Sequence, residues 1–322
     1  MKSVAVVGSG VIGLTTAIEL ARSFQVVVFS HQPLLSTTSA IATAMWHVYL
    51  VDPNAPVVLK WAQASLNKFL ALAKTTPESG LTVIRGIELF RKSPCKVPPW
   101  RDIPPQFRML NSDDLQAFPG ITWGYEISAP LAEMRRYLPW LKGTAEKAGV
   151  SFVARKLASL EDVGRTFDVV VNCAGLGARE LIEDMTLRPV RGQYVILERG
   201  VDCPDTYVGD DENPGGMSYA IPREFDVCVG GTEEYDVEQL VFDVDENAML
   251  RRASKFFPWI FGAKPRILER VVGLRPFRQG GVCLEIGTLA DGRPLIHNYG
   301  HGGSGFSLSW GCAYDVVRLA VG

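Results

Sequence analysis

Residues 7–14 read V-G-S-G-V-I-G-L and follow an apolar run that begins at Val4. Gly8, Gly10 and Gly13 therefore form G-x-G-x-x-G at an expected strand-to-helix turn. The spacing has a physical cause. The first glycine permits the tight turn, the second lets backbone approach a pyrophosphate, and the third lets the helix pack closely on the strand. A helix over about residues 12–23 would aim its unpaired N–H groups at phosphates. A second apolar run, Val26-Val-Val-Phe29, completes a βαβ unit that predicts dinucleotide binding. A secretory signal is the competing reading, because Lys2 precedes a mostly apolar stretch. Glu19 and Arg22 interrupt that stretch, and glycines and threonines lie within it. No other segment approaches an uninterrupted membrane-spanning length, so a soluble protein with no membrane partner is expected.

The chain has 322 residues, 47% of them hydrophobic and 21% charged, enough for two domains or one large one. Its net charge of −2 and lack of basic clusters argue against a nucleic-acid partner. Six cysteines (Cys95, Cys173, Cys203, Cys228, Cys283 and Cys312) lack C-x-x-C spacing. They read as free thiols of a reducing compartment. Four dispersed histidines predict no metal site.

Farther along, Pro56 is expected in the first turn of a helix reaching about residue 74, with Val57, Trp61, Ala64, Leu66 and Phe69 inward. Residues 94–120 are proline-rich and read as a loop surface. A helix over about 131–148 contains Pro139, which should kink it. The runs at 151–154 and 167–173 read as strands, and the near-continuous apolar character of the second fits a buried parallel strand. It ends in Ala174-Gly-Leu-Gly177, so the nucleotide-binding sheet resumes there after a long insertion. Strands are expected at 193–197, 218–221 and 227–230, then a helix at 246–257 and strands near 267–272, 282–286 and 294–297. Gly300-His-Gly-Gly-Ser-Gly305 leads into a last helix over about 306–321.

That second glycine-rich turn is either a plain flexible loop or a second anion-receptive one. Two such turns suggest a long dinucleotide held at its phosphates and at its redox ring. A helix N-terminus beside a flavin would stabilise the charge that develops on reduction, which favours FAD over NAD. The second strand ends in Phe29-Ser-His-Gln32, with no acid for a ribose hydroxyl. Ser30 or His31, backbone or water would have to serve instead.

An ordered set of motifs comprises the first glycine turn, Thr37-Thr-Ser39, Met45-Trp46, Tyr137-Leu-Pro-Trp-Leu141 and Val171-Asn-Cys-Ala-Gly175. It continues with Arg191-Gly-Gln193, Tyr219-Ala-Ile-Pro222, Gly273-Leu-Arg-Pro276, His297-Asn-Tyr-Gly-His-Gly-Gly303 and Trp310-Gly-Cys312. In this order they resemble the FAD-dependent D-amino acid oxidase and D-aspartate oxidase family over essentially the whole chain. The resemblance implies an α/β fold: a discontinuous Rossmann-like FAD-binding domain (1–45, 134–185 and 280–322) interleaved with a mixed-sheet α+β substrate domain (46–133 and 186–279). It implies oxidative deamination of D-amino acids with O2 as acceptor, and a homodimer.

By the same resemblance, Arg275 clamps the substrate carboxylate, Tyr219 shares it, and the Gly303 carbonyl accepts from the substrate amine. A guanidinium suits a carboxylate because it can bind it bidentately. Cofactor contacts fall to Gly8, Ser9, Gly10, Val11, Ile12 and Gly13; to Ser30 and His31; and to Thr37, Thr38, Ser39, Thr43, Ala44 and Met45. Leu157, Ala174, Gly175, Arg275, Gly302, Gly303, Gly305, Phe306 and Ser307 complete the set.

Two departures bear on specificity. Gly215 stands where mammalian members carry a second tyrosine, within the acidic, glycine-rich segment 209–216. That segment is either a lid or a solvated turn; as a lid, its charge would disfavour acidic substrates. His47 either lines the side-chain pocket or hydrogen-bonds within the domain interface, and Glu233 and Glu234 stand where an acid-binding arginine would be wanted. A neutral or broad D-amino acid range is therefore expected. D-aspartate oxidation, a glycine- or sarcosine-type amine oxidase, or an inactive flavin-binding protein are the alternatives. Gly322 does not end a Ser-Lys-Leu-like signal, and the expected compartment is cytoplasmic or peroxisomal.

Overall fold

The computed structural model describes residues 1–322, the side chains of 261 and 263 excepted. The chain divides into two compact units: residues 1–81, 132–190 and 275–322, and residues 82–131 and 191–274. The helix Pro56–Thr75 belongs to the first unit, although the sequence reading grouped residues 46–81 with the other domain.

The first unit is built on a six-stranded sheet in the order Ile286–Thr288, Pro294–His297, Val169–Asn172, Ser3–Val7, Gln25–Ser30, Ser151–Ala154. Every pair is parallel except that between Ile286–Thr288 and Pro294–His297. Strand Ser3–Val7 sits near the centre, with Val4 beside Val26 on one side and beside Val169 on the other. Its apolar run has no polar alternation because both faces are covered. Helix Val11–Leu20 lies against the C-terminal helix Gly305–Val321, and the Thr15 hydroxyl donates to the Ser309 carbonyl at 3.2 Å.

Helix Pro56–Thr75 packs on that C-terminal helix too. Phe69 stacks on Phe306 at 4.2 Å and meets Tyr137 edge-on at 6.2 Å. Trp61 Nε1 donates to Asp315 at 2.8 Å, and Lys60 pairs with the other oxygen of that carboxylate. The buried face starts at Val58; Val57 is exposed, one position out from the sequence reading. The helix expected from 131 begins at Met134, because Leu131 and Ala132 finish the strand Trp123–Ala132, and it continues through Pro139 to Lys147.

The second unit carries most of a nine-stranded mixed sheet, which runs Glu234–Tyr235, Leu187–Glu198, Asp226–Gly230, Ser218–Pro222, Thr206–Asp210, Leu81–Phe90, Trp123–Ala132, Phe107–Met109. Ile267–Arg278 pairs with Leu187–Glu198. Helix Glu246–Ala253 packs Met249 and Ala253 onto Val195, Val208 and Val229. The proline-rich stretch is not all surface loop: it holds Phe107–Met109, the short helix Ser112–Leu115 and the buried Trp100.

Truncating Phe69 removes a fully buried ring from the junction of three helices. Phe69→Ala should cost about 3–5 kcal/mol, read as a lowered denaturation midpoint with an unchanged urea slope.

Candidate functional site

The first glycine turn exists because main chain meets main chain there. Gly8 has φ +113°, and a Cβ on it would collide with the Cys173 carbonyl; one on Gly13 would collide with the Gly8 carbonyl. The turn is thus pressed against the end of strand Val169–Asn172, and helix Val11–Leu20 starts directly behind it. No side chain of its N-cap residue, Gly10, caps that helix, but the hydroxyl of Ser39 accepts from the Val11 N–H at 3.0 Å. At the end of the second strand, Ser9 donates to Ser30 at 2.7 Å while His31 is exposed. A pair of hydroxyls therefore occupies the place of the missing acid.

Thr37 is buried and donates to the Leu34 carbonyl, Thr38 is exposed, and Thr43 is half-buried. Ala174 donates its N–H to the Asn172 side chain at 3.1 Å, and Gly175 opens a short 3₁₀ turn. Leu157 and Phe306 are packed into cores, Leu157 with Ala5, Val7 and Phe29.

Residues 45–49 run beside the N-terminus of the C-terminal helix. The His47 N–H donates to the Ser307 hydroxyl at 2.9 Å. The Tyr49 N–H donates to the Ser304 hydroxyl at 2.7 Å, which itself donates to the Tyr49 carbonyl. Ala44 and Leu50, at φ 50° and 57°, bracket this segment in a backbone region that non-glycine residues rarely occupy. Gly302 and Gly303 lie against it so closely that a Cβ on either would strike Leu50 or Tyr49.

The same turn is fastened to the strand that carries Arg275. The Gly302 N–H donates to the Pro276 carbonyl at 2.9 Å, and Phe277 bridges to His301 in antiparallel fashion. The Arg275 guanidinium then sits 5.6 Å from the centre of the Tyr49 ring, a cation–π distance. Arg275, Tyr49 and Gly303 are thus neighbours. The sequence reading did not single out Tyr49; its place in the alternating His47-Val-Tyr49 stretch was the signal.

Fit to a dinucleotide can be judged on one orphaned atom and the two cradles. His301 is buried, and its Nε2 finds no hydrogen-bond partner among the described residues. Such a nitrogen beside an anion-receptive turn suits a bound polar group. Together with the glycine cradles at Gly8–Gly13 and Gly302–Gly303, it fits FAD.

In the second unit, Tyr219 lies across Gly230 and Gly231, where any added Cβ would meet its phenol. Gly215 is exposed, and a Cβ there would come to 3.0 Å from Arg252 Cδ. The segment 209–216 is not a solvated turn throughout. Gly209 and Asp210 end the strand Thr206–Asp210, and Asp210 is wholly buried beneath Arg91, which donates to it at 2.6 and 2.9 Å. The Glu212 carboxylate accepts from the N–H groups of Arg91 and Lys92, both at 2.8 Å. Much of the segment's negative charge is spent inside the unit.

Residues 3–319 match the FAD dependent oxidoreductase family, and the chain belongs to it. Among curated relatives, a D-amino-acid oxidase of Rubrobacter xylanophilus is 42% identical over 98% of this chain and 94% of its own length. A D-aspartate oxidase of Homo sapiens is 33% identical over 98% of this chain and 94% of its own. The fold is also that of glycine oxidase from Geobacillus kaustophilus, with a TM-score of 0.81 at 20% identity over 99% of this chain and 94% of the other. The mixed α/β architecture, the FAD-dependent oxidoreductase class and the enzymatic character expected from the motifs are thereby established. Among the described residues no helix is long and apolar enough to cross a membrane.

Burial holds both site imidazoles neutral, lowering His47 from the usual 6.5 to about 4 and His301 to about 3. Between those values and 6.5 the unfolded chain binds more protons than the folded one, so stability falls as pH drops through that window. The thermal midpoint should therefore decline from about pH 6.5 to about pH 4, and less steeply in His47→Gln. A midpoint flat over that range would contradict the burial of these rings.

Proposed function

We propose that this protein oxidises D-amino acids of neutral or broad side-chain range to the imino acid, which hydrolyses to the 2-oxo acid and ammonia, while O2 is reduced to hydrogen peroxide. The observation that carries the reading is the Arg275 guanidinium held beside Tyr49 and the Gly302–Gly303 turn. Full-length similarity to a D-amino-acid oxidase at 42% identity supports it. FAD, when bound, supplies the acceptor for the hydride that leaves Cα.

The chain's own groups do the positioning. Arg275 grips the substrate carboxylate through its planar fork. The Gly303 carbonyl accepts from the amine, which must be neutral for its lone pair to assist loss of the α-hydride. With both ends of the amino acid fixed, Cα–H has one orientation, and the rate gain comes from that orientation rather than from a protein nucleophile. Enantiomer choice follows from the same fixing, because exchanging hydrogen and side chain on Cα would turn the hydride away.

His47 supports a neutral range. As an uncharged ring at physiological pH it offers no cation to a substrate's side-chain carboxylate. The reading includes a homodimer acting in the cytoplasm or the peroxisome.

A peroxide assay on D-alanine, D-aspartate, D-arginine, L-alanine and sarcosine tests the proposal. D-Alanine should give peroxide faster than D-aspartate and sarcosine, and L-alanine none. Arg275→Ala should lose about a hundredfold or more in kcat/KM, roughly 3 kcal/mol, with most of it in KM. Unchanged kinetics in that variant would overturn the role of Arg275.

A further inference from the structure

We propose that Asp184 is a positioning residue for the substrate-carboxylate grip, because its one carboxylate holds the Arg275 strand and the second glycine turn together. The inference rests on the role of Arg275 given above. Asp184 follows helix Ala178–Leu181 and lies just before strand Leu187–Glu198. Its Oδ2 accepts from Arg278 Nε at 2.8 Å and from the Tyr299 hydroxyl at 2.6 Å. Its Oδ1 accepts from the N–H of Thr186 at 3.0 Å and from the Thr186 hydroxyl at 2.5 Å. All four bonds converge on a side chain only 10% exposed.

The two long-range donors are what matter. Arg278 stands three residues after Arg275 on the same strand, and Tyr299 stands three residues before Gly302. Arg278 crosses the face of Gly300, where a Cβ would come to 2.8 Å from Arg278 Cβ, so its stem also packs strand against turn. Strand and turn are otherwise joined by the Gly302–Pro276 hydrogen bond and the Phe277–His301 bridge, which set their separation. The carboxylate adds a lock on lateral sliding, since it is anchored on a third segment through Thr186. The Thr186 carbonyl in turn accepts from the Gln279 N–H at 3.0 Å.

Two further observations fit a fixed charge here. Glu183, the preceding residue, has φ 54°, a cost tolerated where surrounding structure dictates the next side chain's direction. Burial opposes ionisation of Asp184, yet hydrogen bonds from Thr186, Tyr299 and Arg278 outweigh it and hold the group well below the ordinary carboxylate range. The anion is therefore present at every pH at which the enzyme would be assayed.

Positioning and mere support of the fold can be separated experimentally. Asp184→Asn keeps the shape and removes the charge-assisted bond to Arg278. With the flavin-loaded protein, KM for D-alanine and the Kd of an unreactive small carboxylate should both rise about tenfold. Turnover at saturation should fall less than about threefold, because the bound substrate itself restores Arg275 to its place. Tyr299→Phe, which leaves the Arg278 pair intact, should raise KM about threefold and decides the matter if Asp184→Asn does not fold. A lowered thermal midpoint with KM and carboxylate Kd unchanged in the folded variant would overturn the proposal. Wild-type protein that gives no peroxide from any D-amino acid, yet binds the carboxylate in an Arg275-dependent way, would sink the proposed reaction and leave this inference standing.

Discussion

The first unit depends on two places where backbone lies against backbone with no room for a side chain. At Gly8 the neighbour is the Cys173 carbonyl, and at Gly302 it is the Leu50 carbonyl. Close approach at the first point sets the turn against the carboxyl end of the parallel sheet, where ligands of open α/β sheets bind. At the second it sets Gly303 beside Tyr49, and so beside Arg275. A methyl group at either turn would push apart elements that the rest of the unit is packed to keep together.

Between these points the polar chemistry is economical. Ser39, Ser304 and Ser307 each use a short side chain to fasten one segment of irregular backbone to the N-terminus of a helix. Serine suits the task because its hydroxyl can both accept and donate, and Ser304 does both toward Tyr49. Irregular backbone is thus held by side-chain hydrogen bonds where no sheet ladder is available. The segment from Met45 to Tyr49 can then carry functional groups at fixed positions while departing from regular structure.

The parts legible in the sequence were those governed by local spacing. The G-x-G-x-x-G turn, the strands of the parallel sheet and the last helix follow from residues close in the chain, and they lie within a few residues of where the pattern put them. Strands Leu81–Phe90, Trp123–Ala132 and Thr206–Asp210 were not seen. The first and last of these alternate poorly because they carry buried polar groups, Glu88 and Asp210, which accept hydrogen bonds from Tyr207 and Arg91. The one-residue slip at Val57 and Val58 has a simpler origin: adjacent identical side chains give a helical period no phase. Asp184 was invisible for a topological reason, since its partners Arg278 and Tyr299 lie 94 and 115 residues away. The acidic segment 209–216 misled for the same reason, because Arg91 is 119 residues from Asp210.

Five of the six cysteines are buried and only Cys95 is exposed. Burial pushes the Cys173 thiol up to about 12 and the Cys203 thiol up to about 11, so neither presents the thiolate that would attack a peroxide. An oxidase releases its own oxidant at every turnover. Here the cysteine thiol that such a product could reach is confined to one external site in a loop of the second unit, and self-inflicted thiol damage would be borne there first.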